Sequence, residues 1–123
     1  DEETVAKNLE WVRYRVAFYG STPNYFPVWE VHGLEDLGKK LHQMSREKLW
    51  DEMPNEIDDD VLKLFAAIGT YENVAKEIET RFGCASDSVA SGIRETDDPG
   101  MPAGLIQDIQ RIASPFKSYN TPW

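Results

Sequence analysis

The stretch Ile57 to Gly83, IDDDVLKLFAAIGTYENVAKEIETRFG, decides the fold class. Val61, Leu62, Phe65 and Ile68 recur at helical steps, a break follows at Gly69, and Val74, Ala75, Ile78 and Phe82 restart the period. The pattern predicts two amphipathic helices that meet at Gly69-Thr70. Gly69 can take the left-handed conformation that ends a helix, and the Thr70 hydroxyl can accept a hydrogen bond from an otherwise orphaned amide two or three residues on. Gly83, straight after the last apolar position, stops the second helix. Upstream, Asp58, Asp59 and Asp60 stand where a helix start favours acids, so they read as caps and dipole partners. The spaced further oxygens of a calcium loop are missing, and no metal site is expected.

Working outward toward the N-terminus, Val5, Leu9, Val12, Val16 and Tyr19 form an apolar stripe along a helix from Thr4 to Tyr19. Glu2 and Glu3 suit its start, Arg13 and Arg15 fall in its later half, and Gly20 is placed to end it. Ser21-Thr22-Pro23-Asn24 makes a turn. Tyr25 to Gly33 then reads as a short buried helix, with Pro27 arguing against a strand. Leu37, Leu41 and Met44 give one helical face, Leu49, Trp50 and Met53 another, and Ser45 is expected to cap the second of these helices. Toward the C-terminus, Ser88 to Ile93 alternates weakly before the Asp97-Asp98-Pro99-Gly100 turn and is the one strand candidate. Pro102 opens a last helix through Leu105, Ile106, Ile109 and Ile112. The chain is therefore expected to be mainly α, with six or seven helical pieces and one short strand.

A length of 123 residues suits one domain, and 41% hydrophobic with 28% charged residues is a globular composition. Thirteen basic residues against 22 acidic give a net charge of -9, which sets aside nucleic acid and anionic membranes as partners. No apolar run approaches the roughly 20 residues of a membrane helix, and the acidic start lacks the features of a signal peptide. The single cysteine, Cys84, allows no internal disulfide and suits a reducing cytoplasm; no motif beside it marks a nucleophile. His32 and His42 read as structural, and Trp11, Trp29 and Trp50 as packing residues, since the basic groove of a base-stacking platform is missing. One strand without a ladder partner leaves amides and carbonyls unpaired, which implies missing neighbours. The chain opens on Asp1 instead of Met, and a fragment of a longer protein is the expectation.

Val12-Arg13, Ala17-Phe18-Tyr19-Gly20-Ser21-Thr22-Pro23 with Tyr25, His32-Gly33, Trp50-Asp51-Glu52-Met53, Ile57-Asp58-Asp59, Gly69-Thr70 and Arg81-Phe82-Gly83 follow one another in order and spacing. As a set they resemble the C-terminal part of luciferase-like flavin or deazaflavin-dependent oxidoreductases (monooxygenases), most closely the branch that uses the 8-hydroxy-5-deazaflavin coenzyme. The resemblance covers nearly the whole chain. It implies a single segment of a (β/α)₈ TIM barrel: 1–20 an outer helix, 21–68 a helical excursion, 69–93 an outer helix and the last strand at Ser88 to Gly92, and 94–123 the closing helix and tail. Tyr71-Glu72-Asn73 departs from the proline and two acids that usually follow Gly-Thr in that family, and the strand is less apolar than its counterparts.

What the resemblance implies for chemistry is hydride transfer between the deazaflavin coenzyme, or FMN as the alternative, and an organic small-molecule substrate. Barrel chemistry sits at the C-terminal ends of the strands, so most of the coenzyme and catalytic residues would lie outside this chain, which alone would be inactive. Two places here could touch the coenzyme. One is the helix start after Gly69 and Thr70, whose amides could face a phosphate; the other is the strand end, where Ser91 and Gly92 would admit a ring and Arg94 could pair with an anion. The implied partners are the rest of the barrel or another subunit, with a homo-oligomer possible. A reading from a different class stands beside this one: an acidic helical module, without catalysis, that binds another protein through Tyr25 to Trp29.

Overall fold

The computed structural model describes residues 2–86, 88–89, 101–102 and 104–114. Its helices are α1 (Glu2–Gly20), α2 (Phe26–Glu30), α3 (Glu35–Arg46), α4 (Asp59–Phe65), α5 (Val74–Phe82) and α6 (Leu105–Gln110), with 3₁₀ turns at Pro23–Tyr25 and Met53–Glu56. Among the described residues there is no strand, and the chain is mainly helical. Ser88 and Val89 lie outside any regular element, and the rest of the expected strand, Ala90 to Ile93, lies outside the described residues. Two compact units divide the chain, Glu2–Ala66 and Ala67–Trp123 with Asp1.

In the first unit α1 packs against α3, α4 and the second 3₁₀ turn. Four members of the stripe read from the sequence, Val5, Leu9, Val12 and Val16, are half-buried, and Ala17 beside Val16 is fully buried, whereas the fifth, Tyr19, is exposed. Leu41, Met53, Ile57 and Leu62 supply the largest fully enclosed side chains. Each adds about 1.5–3 kcal/mol of transfer free energy, opposed by the entropy of ordering the chain around it.

Trp29 is the residue on which these elements converge. Its ring is 2% exposed, and its Nε1–H donates to the Gly20 carbonyl at 2.9 Å. The six-membered part of the indole lies against the backbone of Gly20, where a Cβ would stand 3.0 Å from Cε2 and closer still to Cζ2. The pyrrole edge lies against Gly38 of α3, where a Cβ would come within 2.5 Å of Cδ1. Phe65 of α4 closes the pocket edge-on, its centroid 5.2 Å away. α1 ends at Gly20 as read, but without a left-handed φ; the missing Cβ there makes room for the indole.

The helix ends show what the local sequence does control. The turn that follows α2 closes at Gly33, whose φ of 68° sits in the left-handed region. There Gly33 N–H donates to Glu30 and Leu34 N–H to Trp29, the paired bonds of a Schellman motif. α3 ends the same way, with Lys48 N–H donating to Ser45 and Leu49 N–H to Met44, but the left-handed residue is Lys48 at 63°. The helix expected over Leu49 to Met53 is therefore a turn that runs into the 3₁₀ segment, and Ser45 lies inside α3 with its hydroxyl donating to the His42 carbonyl at 2.7 Å. Asp58 caps α4 as expected, accepting from Val61 N–H at 2.8 Å, and Asp59 and Asp60 occupy its first turn.

The deciding stretch departs from its reading at the centre. α4 ends at Phe65, Ala66 is extended (φ -133°, ψ 140°), and residues 66–73 are not helical. Gly69 is not left-handed, and a Cβ there would collide with the Asn73 side-chain amide. Thr70 is not the cap of α5. Asn73 holds that position, and the Thr70 backbone carbonyl accepts from Asn73 N–H (3.1 Å) and Val74 N–H (2.9 Å) in a turn that leads into the helix. The break in periodicity marks the border between two compact units, not a joint between abutting helices. In the second unit α5 packs on α6, with Ile78 and Leu105 as its buried residues, and α5 ends at Gly83 as read.

Candidate functional site

Five residues were singled out for coenzyme contact. Ser91, Gly92 and Arg94 lie outside the described residues. Gly69 and Thr70 are described and half-buried in the turn before α5. Two of the amides expected to face a phosphate, those of Asn73 and Val74, are bonded to the Thr70 carbonyl, and the space beside Gly69 is taken by the Asn73 amide. A helix start binds an anion through amides left free of such partners. The geometry at Gly69-Thr70 is that of a closed turn and does not fit a phosphate cradle, so no chemical step is derived through a coenzyme at this position.

The most developed polar constellation is one that the sequence did not mark. Arg13, on the inward side of α1, reaches the junction of the second 3₁₀ turn with α4. Its Nη1 donates to the Ile57 carbonyl, its Nη2 to Asp59 Oδ1 at 2.6 Å, and its Nε to Glu10 Oε1 at 3.3 Å. The guanidinium side chain is 14% exposed while Asp59 is 72% exposed, so a buried cation meets a solvent-facing acid. Hydrogen bonding to Arg13, reinforced by its charge, holds the Asp59 carboxyl below the usual range; the Asp59 bond in turn pushes Arg13 upward. An open depression of about 680 Å³ lies around this cluster, with Asp58, Asp60 and Lys63 on its rim. Its acids are committed: Asp58 caps α4, Asp59 and Glu10 hold Arg13, and Asp60 pairs with Lys63 at 3.5 Å. The arrangement anchors α1 to the start of α4.

His42 Nδ1 lies 2.9 Å from the Ser21 carbonyl, and since a carbonyl only accepts, that nitrogen carries the proton. Its ring stands edge-on to Phe26 at 5.9 Å. His32 meets Phe65 edge-on at 5.5 Å. Both contacts are packing and tethering, in keeping with the structural roles read from the sequence. Of the tryptophans, Trp29 is in the core, whereas Trp11 is 57% exposed and Trp50 sits on the surface against Phe18. No group of three or more His, Cys, Asp or Glu side chains among the described residues could hold a metal ion, and no described helix is long and apolar enough to cross a membrane.

Three mycobacterial proteins match this chain. "Uncharacterized protein Rv1360" and "Uncharacterized protein MT1405" of Mycobacterium tuberculosis and "Uncharacterized protein Mb1395" of Mycobacterium bovis are each 38% identical over 111 residues. The match covers 90% of this chain and 32% of each relative, so the chain spans about a third of the length of the curated relatives it matches. No protein-family model matches, and no solved structure does.

Proposed function

We propose that this chain is the C-terminal portion of a luciferase-like oxidoreductase whose complete form transfers a hydride between a deazaflavin or flavin coenzyme and an organic substrate in the cytoplasm. The observation that carries the reading is the ordered set of motifs from Val12-Arg13 to Arg81-Phe82-Gly83. One further feature favours it: the relatives contain about twice as much additional polypeptide, where seven strands of a barrel could lie. On this reading the coenzyme is held by residues outside the chain, and Gly69-Thr70 serves as the turn that delivers α5.

The test is a fluorescence titration of 8-hydroxy-5-deazaflavin coenzyme and of FMN into two proteins, this chain and the full-length M. tuberculosis relative. The expected outcome is saturable binding of one coenzyme by the relative and none by the chain alone. Tight binding by the isolated chain contradicts the placement of the site, and failure of the relative to bind either coenzyme sinks the oxidoreductase reading. The competing interaction module would need Tyr25 to Trp29 free for a partner. Trp29 is enclosed between Gly20 and Gly38, which leaves Tyr25, Pro27 and Val28 as the exposed residues of that segment.

A further inference from the structure

α1 is apolar on two sides, and only one of them is used. Leu9, Val12, Val16 and Ala17 face the core, while Trp11, Tyr14 and Phe18, at three- and four-residue spacing, form a second stripe that is 57%, 39% and 41% exposed. Other elements extend this stripe into a ridge. Tyr14 stacks on Phe18 at 6.1 Å, Trp50 lies 5.7 Å from Phe18, and Tyr25 lies 6.1 Å from Tyr19. With aromatic side chains presenting about 150–250 Å² each, the ridge leaves on the order of 500 Å² of ring surface in water. That is near the upper end for a monomer's largest patch and more than half of what one side of a standard interface buries.

We propose that this ridge is the seam on which the additional polypeptide of the longer homologues packs, presenting an apolar surface with a carboxylate opposite Arg15. Three observations point to that occupant. A helix apolar on both sides is buried on both sides in a stable fold, and the first unit covers only one. The relatives carry about twice this chain's length in further sequence, which supplies the cover. Arg15 is a charged side chain seated in the ridge, its guanidinium 4.8 Å from the Trp11 ring and 5.2 Å from that of Tyr19, with Nη2 donating to the Tyr19 hydroxyl at 3.1 Å. A cation held against rings in a chain of net charge -9 favours an acidic group in the partner, and the same net charge disfavours a second copy of this chain. Tyr, Trp and Arg are also the residues that most often dominate binding energy at interfaces. The proposal rests on the chain being a segment of a longer protein and is independent of the coenzyme chemistry.

The experiment compares this 123-residue chain with a chimera in which it replaces the matched 111 residues of the M. tuberculosis relative. Hydroxyl-radical footprinting reads the ridge directly: Trp11, Tyr14 and Phe18 should be labelled in the isolated chain and protected about tenfold in the chimera, because an interface core excludes the water that carries the radicals. Phe18→Glu should leave the melting temperature of the isolated chain almost unchanged and lower that of the chimera by several degrees. Equal labelling in both proteins overturns the proposal, as does a Phe18→Glu effect of the same size in both. Concentration-dependent self-association of the isolated chain that Phe18→Glu abolishes, with no effect in the chimera, assigns the ridge to a second copy and also overturns it. A chimera that does not fold where the relative itself folds counts the same way, since a shared seam must accept this ridge. Protection in a chimera that binds no coenzyme leaves the seam standing and removes only the oxidoreductase reading.

Discussion

The described parts of the two compact units show different ties. Glu2–Ala66 closes around one indole and is tied across long sequence distances: Trp29 to Gly20, His42 to Ser21, Arg13 to Ile57 and Asp59, and Lys40 to Glu56 at 2.6 Å. In the described part of the other unit, two short helices bury Ile78 and Leu105, and local side-chain bonds such as Thr80 Oγ1 to the Lys76 carbonyl and Arg111 to Asp108 support them. The difference teaches which unit can specify its own geometry. Non-local bonds that satisfy buried polar groups fix one arrangement, whereas neighbouring pairs along a helix support the helix without saying where it packs.

The largest test of that contrast is Trp29→Ala. Removing the indole empties the slot between Gly20 and Gly38 and leaves the Gly20 carbonyl without its donor. The expected loss is about 3–5 kcal/mol, comparable to the whole stability of a small domain, and it should appear in urea unfolding followed by far-UV circular dichroism. Survival of the cooperative transition would show that the unit is organised around something else.

Arg13→Met sharpens the comparison through its polar half. It keeps the apolar stem but strips the donor from the Ile57 carbonyl and the partner from Asp59, for an expected cost of about 2 kcal/mol. A pH arm follows from Asp59. Its folded-state value is depressed, so the pair's contribution is present above the unfolded carboxylate value of about 3.9 and is lost as the pH falls through the lower folded value. Arg13 is shifted upward, so its contribution persists across the whole accessible range below its unfolded value. Asp59→Asn should therefore lower stability at neutral pH, where the ionised pair contributes, and reduce the steepness of acid unfolding below about pH 4, so that the two proteins converge at the lowest pH. An unchanged acid limb in Asp59→Asn would place the acid sensitivity in other carboxylates.

A smaller effect of opposite sign comes from the two Schellman ends. Gly33 and Lys48 adopt the same left-handed backbone, but only the lysine carries a Cβ into it. Lys48→Gly should stabilise the first unit by about 0.5–1 kcal/mol, the relief of the left-handed penalty less the extra freedom glycine gives the unfolded chain. Chemical denaturation of the single variant measures it, and a loss of stability would mean that the lysine side chain contributes a contact worth more than the strain.

Much of this architecture was legible in the sequence because it is written locally. The α1 stripe, the cap at Asp58, the helix end at Gly33 and the span of α5 depend on residues within a turn or two of one another. What was missed depends on partners far along the chain. Gly20 ends α1 as it reads, but its second role as the seat of the Trp29 indole is seen only in the fold, and Arg13 reads like a dipole partner until Ile57 is brought within reach. Lys48 was missed because its left-handed turn has no glycine to announce it. Ala66 to Ile68 continues an apolar period that the backbone abandons, since the stretch passes from one core to the other and packing overrides propensity there. For the coenzyme residues, the sequence offered Gly69-Thr70 through a resemblance, and the turn geometry at that point is set by Asn73, a residue that departs from the family pattern.

A change in the second unit whose expected effect on the first is nil tests the contrast from its other side. Ile78 is 8% exposed and, with Leu105, is one of two buried apolar residues described there. Ile78→Ala removes about two to three methylene equivalents, and cavity formation at such a site normally costs 2 kcal/mol or roughly more. If Glu2–Ala66 is self-specified, that cost stays within the second unit. Near-ultraviolet circular dichroism of the Trp29 environment should then report a transition midpoint indistinguishable from the parent's, while far-ultraviolet signal from α5 is lost earlier. A parallel fall of both signals would show that the two units unfold as one cooperative body, and the division drawn from their separate cores would no longer describe how the chain is stabilised.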